Sequence, residues 1–88
     1  MDEKLKDVFS IFIITLERRL RIKAERDNFT GWDDEIDYPN DEFKTRMAIK
    51  LFKKHPSAKD YLDIAAYALF LWARKKGLKT RQLLKEIR

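Results

Sequence analysis

Residues 62–73, "LDIAAYALFLWA", carry a single charge, that of Asp63, in an otherwise apolar run. The run lies inside a longer segment with helix signals at both ends. Ser57 stands three residues before Asp60, close to a capping box with Asp in place of the usual Glu or Gln. Lys75 and Lys76 precede Gly77, which suits a helix stop after a basic last turn. A helix over about 58–76 is expected, and a helix that is apolar all round must be covered on all sides. A chain of 88 residues makes one small domain and has little else to cover it with. The expectation is an all-α helical bundle, completed by oligomerisation as a homodimer or larger assembly.

The remaining segments agree with that class. Leu5, Val8, Phe9, Phe12, Leu16 and Leu20 recur at steps of three and four, marking one face of a helix over about 3–26. Ile11, Ile13 and Ile14 widen the face, so its middle is expected to be covered on more than one side. A second helix is expected over about 41–54, after the Tyr38-Pro39 step, with Asn40 or Asp41 as its cap. Phe43, Met47, Ile49, Leu51 and Phe52 are expected inward on it, and its bases outward. Thr80 can cap a short fourth helix over about 80–87.

The residue inventory excludes much chemistry. There is no cysteine, one histidine (His55) and two glycines, Gly31 and Gly77. Disulfides, thiolate metal sites, His-rich zinc sites and Gly-rich phosphate loops are therefore out of reach. The longest apolar run, "VFSIFIITL" over Val8–Leu16, is far shorter than the ~20 residues a membrane-spanning helix needs. No targeting segment is visible, so no membrane partner and a cytoplasmic location are expected. Scarce amides and absent cysteine give the chain a thermophile-like composition.

The net charge is +5, unevenly spread. Residues 27–42 hold seven acids and no base, whereas residues 43–88 hold thirteen bases and three acids. The acidic connector, about 27–40, is too long for an ordinary link between bundle helices, which takes ~2–8 residues. It also lacks the alternating ligands of an EF-hand. An ordered connector pinned by Trp32, its carboxylates facing bases elsewhere, is the expectation.

"KAERDNFTGWDD" at the end of a first helix, a charged second helix and "KDYLDIAAYALFLWARK" together resemble the small MazG-like all-α nucleotide pyrophosphohydrolases. The resemblance runs from about Arg21 to Lys75. In that family a Gly-Trp step, here Gly31-Trp32, leads into the catalytic helices. A Glu-x-x-Glu pair on one helix and an acidic-x-x-Asp pair on the next hold Mg²⁺ against a triphosphate. Asp60 and Asp63 match the second pair and are the candidate metal ligands it implies. Residues three apart share a helix face, and hard divalent cations prefer carboxylate oxygen. The first pair is missing: in "EFKTRMAIKLFKK" every charged group after Glu42 is basic. The resemblance thus implies a related scaffold without the standard two-metal catalysis.

Each candidate also has a plainer role. Asp60 can serve as the capping partner of Ser57. Asp63, costly to bury alone, can pair with a Lys or Arg. Trp32 can stack on a nucleotide base or anchor the connector; Trp72 and Tyr67, at helical spacing, fit a core. Lys44, Arg46, Lys50, Lys53 and Lys54 form either a phosphate-contacting stripe or a solvated face. A second class of function therefore stands beside the first. It is a basic accessory protein, of the kind viruses and mobile elements carry, that binds nucleic acid or a protein partner as a homo-oligomer.

Overall fold

The computed structural model describes residues 2–27 and 38–77, and among them it is all-α with no strand. Three helices are present: α1 (Glu3–Asp27), α2 (Asn40–Leu51) and α3 (Ala58–Lys75). Trp32, most of the acidic connector and the expected fourth helix lie outside the described residues. The described helices fall into two compact units, α1 in one and the α2–α3 pair in the other. No described helix is long and apolar enough to cross a membrane.

Asp2 starts α1. Its side chain accepts the Leu5 N–H at 2.8 Å, and its carbonyl accepts the Lys6 N–H at 3.0 Å. That supplies a partner to one of the donors a helix start leaves open. Leu16 is buried, but Leu5, Val8, Phe9, Ile11 and Ile14 are exposed.

In the second unit, α2 and α3 run antiparallel across a short connection. The register is regular: Asn40 meets Arg74, Phe43 meets Phe70, Lys50 meets Asp63 and Lys53 meets Asp60. Residues at steps of three and four on both helices therefore form the contact. Phe43 is its centre, with 0% of its surface exposed. Its ring stacks on Tyr38 at 5.9 Å and on Tyr67 at 5.5 Å, and lies tilted against Phe70 at 5.5 Å. The Arg74 guanidinium sits 4.7 Å from the Phe43 ring centre, a cation–π geometry.

Several expectations about α2 are corrected. The helix ends at Leu51, short of Lys54, because Pro56 and the extended Ser57 (φ −84, ψ 169) must follow. Ile49, Leu51 and Phe52 are exposed, Phe52 by 88%. They lie off the line through Phe43, Met47 and Lys50 that faces α3. Asn40 is the first helical residue and caps nothing; its Oδ1 accepts from Arg74 Nη1 at 2.8 Å.

On α3 the capping box is present as expected. The Ser57 hydroxyl accepts the Asp60 N–H at 3.1 Å, and Asp60 Oδ2 accepts the Ser57 N–H at 2.8 Å. Gly77 ends the helix with φ 71, its N–H donating to the Arg74 carbonyl, as expected of a left-handed stop. The expectation of burial on all sides does not hold. The buried residues, Asp60, Asp63, Ala66, Tyr67, Phe70 and Ala73, make one stripe. Trp72, expected in the core, is exposed off that stripe, as are Leu69 and Tyr61.

Candidate functional site

The two acidic residues singled out from the sequence are the two charged residues buried in the described structure, each 6% exposed. Both sit on the first turns of α3, where residues three apart point the same way. They face the last turn of α2. Lys50 Nζ lies 3.0 Å from Asp63 Oδ2 and 3.5 Å from Asp60 Oδ1. Lys53 Nζ reaches the same Asp60 oxygen at 3.0 Å. Two ammonium groups and two carboxylates thus form a clasp beside the connecting turn.

Asp60 gathers further donors. Besides Lys53, its Oδ2 accepts from the Ser57 backbone N–H and from the Ser57 hydroxyl, at 2.8 and 3.1 Å. The Ser57 N–H, and then Lys53, hold its carboxyl well below the usual carboxylate range. Lys50 moves the other way. Its hydrogen bond to Asp63, followed by the charges of Asp63 and Asp60, raises its pKa above that of an ordinary lysine. Both shifts favour the ionised forms of Asp60 and Lys50.

One turn further from the loop, Arg46 donates to Glu42 on its own helix, with Tyr67 near it across the interface. Tyr67, and less so Glu42, raises the Arg46 pKa. The sequence places Tyr67 in a core, and its ring is buried against Phe43. The same reading misplaces Lys50 on the outer face. The available signal was spacing: Lys50 lies seven residues, two turns, after Phe43 and so shares its face.

Of the proposed basic stripe, Arg46, Lys50 and Lys53 are engaged with Glu42, Asp60 and Asp63, while Lys44 and Lys54 are exposed on α2 and its following turn. The five do not form one face. Trp32 lies outside the described residues.

The donor set can be weighed against Mg²⁺, which takes about six oxygens in near-octahedral geometry. Among the described residues no group of three or more Asp, Glu or His is arranged to hold a metal. Asp60 and Asp63 already meet lysine ammonium groups, and Glu42, the carboxylate of α2 nearest in sequence, is paired with Arg46. These residues do not suit Mg²⁺. Comparisons with protein-family models, curated proteins and solved structures gave no match.

Proposed function

We propose that this chain is a non-catalytic helical assembly protein on a MazG-like scaffold, with the Lys50 ammonium standing where such enzymes hold a metal ion. One observation carries this reading: Lys50 Nζ lies within 3.5 Å of both Asp60 and Asp63. A lysine fixed there supplies the positive charge two neighbouring carboxylates need, but it offers no open coordination position for a phosphate or for an attacking water. The exposed apolar residues of α1, Val8, Phe9, Ile11 and Ile14 among them, support assembly as the role left to the scaffold.

Engagement of Arg46, Lys50 and Lys53 within the chain favours this reading over nucleic-acid binding, since it leaves fewer bases for phosphate. The test is incubation of the full chain with a nucleoside triphosphate panel and Mg²⁺, following pyrophosphate. No release, and no Mg²⁺-dependent rise in melting temperature, is expected. Mg²⁺-dependent release, abolished by Asp63→Asn, would overturn the proposal.

A further inference from the structure

α1 has two apolar sides. At 3.6 residues per turn, Ile11, Ile14 and Ile22 project roughly opposite to Phe9, Phe12 and Leu16. Apolar surface is exposed on both, Phe9 being 55% exposed, and it is the flanking charges that single out the isoleucine side. Ile11 and Ile14 are 64% and 56% exposed, and Ile22 is exposed as well.

The charges beside them are arranged in a particular way. Asp7 lies one turn before Ile11, and Arg18 one turn after Ile14, on the same side of the helix. Both are exposed, and neither has an ion-pair partner among the described residues. Read in either direction, the side shows a charge, an isoleucine, an isoleucine and a charge, at steps of four, three and four. Only the signs at the two ends differ. That pattern is self-complementary under a two-fold axis. An antiparallel second α1 would set Ile11 against the partner's Ile14 and Asp7 against the partner's Arg18, twice over. A parallel copy would set Asp7 against Asp7 and Arg18 against Arg18. Beyond this core, Arg21 would approach Lys4 of the second copy, but Arg21 is drawn back to its own Glu17. Two of the bases on the opposite side of α1, Arg19 and Lys23, already have interactions, so free complementary charges mark the isoleucine side.

We infer that two copies of this chain associate through antiparallel α1 helices, with Ile11 and Ile14 at the crossing and Asp7–Arg18 pairs flanking it. The inference rests on the assembly reading above and names its surface. The test is sedimentation equilibrium of the full chain and of Asp7→Arg, Arg18→Asp and the double variant, with circular dichroism as the check on helix content. These side chains are exposed, so the variants keep the wild-type spectrum.

A wild-type dimer is expected. Each single reversal replaces two attractions by two repulsions and weakens the dimer by about tenfold or more, and the double reversal restores it to within a few-fold. A dimer indifferent to the single reversals, or a double variant no better than the singles, overturns this interface and leaves the assembly reading standing. A monomer at every concentration overturns both.

Discussion

Lys50 meets surroundings unlike those of a surface lysine. It is part-buried against two carboxylates that have little access to water. Removing one member of such a set leaves its partner buried and unpaired, whereas replacing both by apolar groups avoids that cost. Lys50→Met should therefore lower unfolding stability by about 1–3 kcal/mol. The double variant Lys50→Met/Asp63→Leu should be more stable than the single, as read from urea denaturation. A double variant that loses the sum of the two single losses would show that the pair does not couple. The pH dependence follows from the same residues. The depressed Asp60 pKa means the unfolded chain takes up its proton first, so this contribution is complete above about pH 5 and is lost as pH falls below the unfolded value of about 3.9. The raised Lys50 pKa acts at the other limit, its contribution present below about pH 10 and lost as pH climbs through the folded value. Asp60→Asn should flatten the acid limb of a stability–pH profile; an unchanged limb would assign acid lability to other groups.

At the scale of the element, α2 separates into a working face and an idle one, and Phe43 within it and Phe52 just past its end distinguish them. Phe43 is wholly enclosed by Tyr38, Tyr67, Phe70 and Arg74. Phe43→Ala should cost about 3–5 kcal/mol or abolish cooperative unfolding of the α2–α3 pair. Phe52→Ser, at a position 88% exposed, should change stability by no more than about 0.5 kcal/mol. Equal losses in the two variants by chemical denaturation would refute the assigned face. The same contrast shows what was legible in the sequence. The start and stop of α3 were, because Ser57-x-x-Asp60 and Gly77 act locally. The helix class was, because apolar spacing repeats over many residues. The facing of α2 was not: apolar residues occur on both sides of it, and treating every lysine as outward rotated the helix away from its partner. A buried Asp63 asks for a base on the opposing helix, and only the antiparallel pairing decides that Lys50 supplies it.

For the molecule as a whole, apolar side chains exceed what the described helices cover. Exposed Phe9, Ile11, Ile14 and Trp72 are surface that association can remove from water at ~25 cal/mol per Å². Stability linked to association depends on concentration. The melting temperature of the full chain should rise over a hundredfold increase in protein concentration, and a constant midpoint would indicate that folding and association are uncoupled. The helical pair, finally, is chemically polarised along its length. Its open end is aromatic, with Tyr38, Phe43, Phe70 and Arg74 gathered there, and its looped end is ionic, with Lys50, Lys53, Asp60 and Asp63. Acid weakens ion pairs by protonating their carboxylates and leaves stacked rings nearly untouched. Ordinary helical hairpins fray from their free ends. This pair, under acid, is expected to loosen first at the looped end, where its carboxylates lie. Loosening there would release Lys50 and Lys53 while the Phe43 contacts with Tyr67 and Phe70 still join the helices.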